Sequence, residues 1–270
     1  MTGQTHLTYL YCVANKEPRL EEIKALSSDA HCICRNGLYA VAGKVEPEEF
    51  SEDGLKRNMN NLDWVKYMAS THEKTVERIA MQSDIIPFRF GTLFNTDDSL
   101  KAMLEQYEEE FKTILGRLAD KQEWGLKIYC NPVQPKAGLF DHQVQILTME
   151  EEIKRVPTGK AYFLKKRKET MIREAFDEKV DKWGQESFEA LKELSAEAHL
   201  NRLLPKEVTE REDEMVFNAA FLVNKVRTDD FLNMARTLKA RYESYGLLID
   251  CTGPWPPYNF CGLSQTEKTG

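Results

Sequence analysis

Cys32 and Cys34, one residue apart, are the first residues in the chain whose types could hold a metal. Structural zinc sites use two-residue or longer spacing and a second ligand pair, and no second pair follows here. In a strand, positions 32 and 34 share one face, so two core cysteines are the simpler reading. His72-Glu73 could pair a general base with its orienting carboxylate. On a helix, however, neighbouring residues point about 100° apart, so the two side chains do not converge. His72 lies on an apolar stripe and reads as a hydrogen-bonded core histidine. The carboxylates of Glu105 to Glu110 lie on a polar helix face, whereas acid–base work needs a positioned pair. The chain has no Gly-x-Gly pair, no phosphate-binding Gly-rich loop, no His-Glu-x-x-His and no Gly-x-Ser-x-Gly. Its five histidines, at 6, 31, 72, 142 and 199, are isolated from one another in sequence. These observations supply no catalytic set, and no cofactor or metal is expected.

Two segments have unusual physical character. In Pro87-Phe88-Arg89-Phe90-Gly91-Thr92, strand alternation places Phe88 and Phe90 on one side and Arg89 on the other. An arginine inside a strand needs acceptors for its planar fork, so this is either a central strand with a structural ion pair or a binding edge with aromatic and cationic anchors. In Thr252-Gly253-Pro254-Trp255-Pro256-Pro257-Tyr258-Asn259-Phe260, three prolines keep the backbone extended and stiff. This segment is either a strap that packs Trp255 onto the protein's own core or a preformed aromatic patch for a partner. The strap is the favoured reading.

The net charge of −7 opposes a phosphate backbone, and the one basic run, Lys165-Lys166-Arg167-Lys168, is soon followed by Glu169 and Glu174. It reads as a solvated helix face, and no nucleic-acid partner is expected. No apolar stretch approaches the roughly 20 residues that span a bilayer. The six scattered cysteines read as small hydrophobes in a reducing compartment, so a cytoplasmic location is expected.

The elements that must position these residues follow from periodicity. Residues 7–13 read as a strand, and Pro18 opens a short helix to Leu26. Asn36-Gly37 joins the runs 31–35 and 38–45 in a hairpin. Val65, Ala69, His72, Val76 and Ile79 mark a helix that Asp63 could cap, and 85–94 reads as a bent strand. A helix capped by Thr96 carries the stripe Leu100 to Leu118, and a strand over 123–130 closes the half. The order β-α-β-β-α-β-α-β is that of a ferredoxin-like α+β domain with an added helix and strand. Pro132, Pro135 and Gly138 mark a linker between domains at 1–131 and 139–270. The second domain has a short helix near 148–154 and a long, coiled-coil-like helix over 160–202, with a bend expected at Gly184. A strand at 215–226, a helix at 229–245 and a strand at 247–252 complete it.

Taken in order, Tyr9-Leu10-Tyr11, Gly37-Leu38-Tyr39-Ala40-Val41, Trp64 with His72-Glu73, Pro87 to Thr92, Glu123-Trp124-Gly125-Leu126-Lys127, Gly159 to Leu164 and the tail Gly253-Pro254-Trp255-Pro256-Pro257-Tyr258 resemble the GvpF/GvpL family of gas vesicle proteins. The resemblance implies two domains, a ferredoxin-like one followed by one with a coiled-coil-like helix. It also implies a non-enzymatic accessory protein for gas vesicle assembly, with the small hydrophobic shell protein and other accessory proteins as partners. A soluble acidic partner could hold the shell protein's apolar or edge surface before assembly. On this reading the shell protein is expected at the N-terminal domain, with Tyr39, Phe88, Arg89 and Phe90 as contacts. Trp64, His72, Gly91, Trp124 and the tail residues form the structural motif. An enzyme on a ferredoxin-like scaffold and an RNA-binding sheet are the competing classes.

Overall fold

The computed structural model describes residues 6–130, 143–243 and 245–262. The expected linker with Pro132, Pro135 and Gly138 lies outside the described residues. In chain order the elements are β1 (Leu7–Ala14), α1 (Leu20–Lys24), β2 (His31–Arg35), β3 (Leu38–Val45), α2 (Pro47–Phe50), α3 (Glu52–Asn58), α4 (Leu62–Ala80), β4 (Ile85–Pro87), β5 (Leu93–Phe94), α5 (Asp97–Gln106) and α6 (Glu108–Leu118). They continue with β6 (Lys121–Cys130), α7 (Gln143–Arg155), α8 (Thr158–Lys192), β7 (Glu197–Leu200), α9 (Lys206–Thr209), β8 (Glu214–Asn224), a 3-10 turn at Lys225–Arg227, α10 (Thr228–Glu243) and β9 (Leu247–Trp255). The fold is thus mixed α and β. The chain divides into two compact units, one of residues 1–123 with 254–270 and one of 124–253. These differ from the expected 1–131 and 139–270. β6 pairs in the second sheet rather than closing the first, and the residues after Gly253 group with the first unit.

The sheet of the first unit runs β2-β3-β1-β4, with β5 also pairing β1. All the pairings within it are antiparallel. β1 lies inside the sheet, and from Thr8 onward it is buried throughout, which is why its sequence is a continuous apolar run rather than an alternation. Asn36 and Gly37 both adopt positive φ, 50° and 80°, and join Arg35 to its partner Leu38 in a two-residue turn. α4 starts earlier than Asp63 predicts: Asn61 caps it by accepting from the Trp64 N–H, and Asp63 falls in the first turn. Thr96 caps α5 in a reciprocal box with Ser99. The helix expected to run on to Leu118 is interrupted at Tyr107, whose φ and ψ of −109° and 19° separate α5 from α6.

The sheet of the second unit runs β7-β8-β6-β9. Alternate residues of β6 (Trp124, Leu126, Ile128, Cys130) and of β8 (Ala219, Phe221, Val223) share one core with Phe176, Val180 and Leu191 of α8 and with Phe231 and Tyr242 of α10. α8 ends at Lys192, ten residues short of expectation. Ser195 Oγ turns back to the Leu191 carbonyl, and the Ala196 N–H pairs with the Leu222 carbonyl to lead into β7. Sheet pairing thus captures the segment that composition assigned to the helix. Nor does α8 bend out of helix at Gly184. A methyl group there would stand 2.9 Å from the Phe217 ring, so the glycine admits β8 against the helix.

Candidate functional site

The sequence motifs of the first unit converge on His72. The buried ring stacks on Tyr11 at 5.7 Å and meets Tyr9 and Phe90 edge-on at 5.7 and 6.1 Å. Trp64 closes over Phe90 at 6.3 Å. Both ring nitrogens are occupied. Nε2 lies 3.1 Å from the Phe88 carbonyl, which can only accept, so Nε2 carries the proton. Nδ1 is then the acceptor for the Tyr9 hydroxyl at 2.8 Å. That hydroxyl in turn accepts the Gly91 N–H at 3.1 Å. One imidazole and one phenol thus tie down both ends of the segment 88–91. Burial pushes the His72 pKa from 6.5 to about 4, opposed by the Phe88 bond, so the ring is neutral at neutral pH. Burial also raises the Tyr9 and Tyr258 hydroxyls. None of these groups is poised to move a proton near neutral pH.

What this hub holds is a turn, which splits the bent strand expected over 85–94 into β4 and β5. The Phe88 N–H donates to the Tyr11 carbonyl at 2.9 Å, and the Leu10 N–H donates to the Thr92 carbonyl at 2.9 Å. Between them, Thr92 donates through its N–H and hydroxyl to the Arg89 carbonyl, and Gly91 takes φ +81°. A side chain at Gly91 would meet nothing within 4 Å, so the backbone angle alone calls for glycine. The bulge re-aims the side chains. Phe88 goes to Phe111 of α6 at 6.2 Å and Phe90 to α4, rather than both to one side. Arg89 is exposed, so it is not an arginine buried in a central strand. Tyr39 is half-buried and packs against the core of this unit.

The tail behaves as a strap, but not through the residue expected. β9 continues to Trp255, whose side chain is 43% exposed, and Gly253 takes φ +138°. The anchors are Pro256, Pro257, Phe260 and Cys261, all buried. Pro254 is exposed. Tyr258 Oη lies 3.3 Å from His72 Nε2, which joins the strap to the hub. Asn259 donates its N–H and its side-chain amide to the Glu123 carboxyl at 2.9 and 2.5 Å, and Arg117 donates to the Phe260 carbonyl. Glu123 is 5% exposed, and burial pushes it from 4.5 to about 7 against the two Asn259 donors. Tyr9, Glu123 and Asn259 lie in motifs singled out above, but their hydrogen-bonding roles, and that of Arg117, do not follow from sequence. The signal available for Glu123 was a carboxylate at the head of an apolar strand. Trp124 belongs elsewhere, in the core of the second unit against Phe231 at 6.3 Å.

Cys34 is exposed and Cys32 half-buried, so the pair is not the two core cysteines expected. Burial pushes Cys32 up to about 12, and among the described residues no three of His, Cys, Asp and Glu gather in a metal-holding group. No described helix is long and apolar enough to cross a membrane.

The geometry, a hydrogen-bond-saturated hub displaying an arginine turn, occurs here in a chain whose class is defined by comparison. The model of the gas vesicle synthesis protein GvpL/GvpF family matches residues 7–262, and the chain belongs to that family. It is 24% identical to gas vesicle protein L of Streptomyces sp. (strain CB03234) over 97% of this chain and 95% of that protein. It is 24% identical to gas vesicle protein L1 of Halobacterium salinarum over 93% and 89%. The crystal structure of GvpF from Anabaena sp. PCC7120 has the same fold, with a TM-score of 0.68 and 17% identity, covering 96% of this chain and 100% of that one.

Proposed function

We propose that this chain is a non-catalytic assembly factor that holds the small hydrophobic shell protein during gas vesicle formation and meets other accessory proteins, acting in the cytoplasm at the growing vesicle. The observation that carries the reading is the Arg89 turn. Its flanking rings and backbone are fixed by His72 and Tyr9, while Arg89 itself is exposed. A rigid turn displaying arginine beside aromatics meets a partner at low entropic cost. The order β2-β3-β1-β4 supports a ferredoxin-like reading of the first unit. The β4–β5 edge is short and broken by the bulge, which blunts strand addition there and favours docking through side chains. The packing of α7 on α8 supports a coiled-coil-like reading of the long helix.

The test is capture of co-expressed shell protein by the full chain. Arg89→Glu is expected to lower capture at least about tenfold, as for a hot-spot arginine. Its melting temperature is expected to stay within about 2 °C, as for an exposed substitution. Undiminished capture by this variant would remove Arg89 from the interface.

A further inference from the structure

The second unit carries two surfaces that the reading above leaves unused, and they are complementary to each other. The first is the projecting half of α8. Phe176 is its first buried residue and Arg173 reaches Glu214 of β8 at 3.8 Å, so the stretch ahead of them, residues 158–170, runs roughly 20 Å with α7 packed alongside. Lys168 ties the two helices together through Glu150 at 3.0 Å. On this finger Tyr162 and Phe163 touch each other edge-on at 5.8 Å, yet both are exposed, Phe163 by 72%. Around them Lys160, Lys165, Lys166 and Arg167 are also exposed. Residues 153–168 hold seven cations and no carboxylate, while Glu150, Glu151 and Glu152 precede them and pair with Lys168, Lys154 and Arg155 in part, and Glu169 follows.

The second surface is a cavity of about 400 Å³ between α8 and the β7–β8 end of the second sheet. Phe188, Leu200, Leu203, Val216 and Phe217 line it, with Gly184 packed against the Phe217 ring. Leu203 is 53% exposed, so the apolar lining is uncovered. Asp181 and Glu189 stand on its rim, two helical turns apart on the exposed face of α8, with Glu189 also 3.5 Å from Lys192. β7 is the outer strand of its sheet.

Aromatic rings in a basic collar match an apolar groove with an acidic rim. Finger and groove lie on the same helix, roughly 30–40 Å apart along its axis, so a chain cannot fill its own groove. We propose that the Tyr162-Phe163 finger of one copy docks into the Phe188–Leu203–Phe217 groove of a second copy. The contact is head-to-tail, with different surfaces on the two partners, so each bound pair leaves one finger and one groove free to recruit further copies. The cations around Phe163 set the orientation against Asp181 and Glu189, and added salt weakens the contact.

Sedimentation of the full-length chain tests this. The wild-type average mass is expected to rise above that of one chain with concentration and to fall back in high salt. Phe163→Glu and Leu203→Glu, both at exposed positions, are each expected to weaken association at least about tenfold with unchanged melting. An equimolar mixture of the two variants has one sound finger and one sound groove per pair, so it is expected to form dimers and nothing larger. Three results would overturn the proposal: a wild type that stays monomeric at all concentrations, mass growth indifferent to Phe163→Glu, or a mixture that stays monomeric. A monomeric wild type that uses Phe163 to bind anionic phospholipid vesicles or RNA would likewise reassign the finger.

Discussion

Phe260→Ala is expected to destabilise the protein by about 3–5 kcal/mol, the range for truncating a large aromatic side chain in a core. Phe260 is 1% exposed, its carbonyl accepts from Arg117, and the residues on either side hold Glu123 and the Pro257 carbonyl. Removing the ring opens a cavity and loosens those bonds together. Trp255→Ala is expected to cost no more than about 1 kcal/mol, because a ring that is 43% exposed in the fold has less burial to lose. Urea titrations of both variants measure the difference. Equal losses would mean that Trp255 anchors the strap as firmly as Phe260 does.

The second large effect is in the pH dependence of stability, where two buried groups oppose each other. Glu123 has a folded pKa raised to about 7, so between 4.5 and 7 the folded state holds a proton that the unfolded chain has lost. Its contribution therefore falls as pH rises through that window. His72 has a folded pKa lowered to about 4 from 6.5, so the folded ring stays neutral where the unfolded one is charged. Its contribution is fully present above 6.5 and is lost as pH falls toward 4. Each slope is about 1.4 kcal/mol per pH unit, and from pH 4.5 to 6.5 they cancel. Relative to wild type, Glu123→Gln is expected to gain stability with rising pH across that window, by about 3 kcal/mol in all. His72→Asn is expected to lose about as much. Denaturant titrations at several pH values read the slopes directly, independent of any constant loss the substitutions cause. A Glu123→Gln slope equal to that of wild type would place the folded pKa of Glu123 near its ordinary value.

Where local chemistry decides the structure, the sequence was legible. Asn36-Gly37 forms its turn because both residues tolerate positive φ, and His72 is buried because the stripe from Val65 to Ile79 places it there. In 85–94 the expected bend is a full break between β4 and β5, because alternation assumes unbroken pairing. Gly91 at positive φ and the Thr92 bonds to Arg89 lift residues 88–92 out of register with β1. The partners of β6 could not be read locally either. They lie in segments far along the chain, and its sequence suits either sheet. Glu123 shows the same limit at the site, since its partner Asn259 is 136 residues away. In the tail, composition marked the strap correctly as stiff and aromatic. Which ring turns inward depends on where β9 ends, and that is set by pairing rather than by proline content.

The central claim is that the first unit meets the shell protein through the turn that His72 and Tyr9 hold. Hydrogen exchange of the full chain, free and in complex with co-expressed shell protein, tests it most directly. Peptides covering residues 85–94 are expected to exchange more slowly in the complex, while those covering 158–192 are unchanged. Protection confined to residues 143–243, with 85–94 exchanging as in the free chain, would contradict the account.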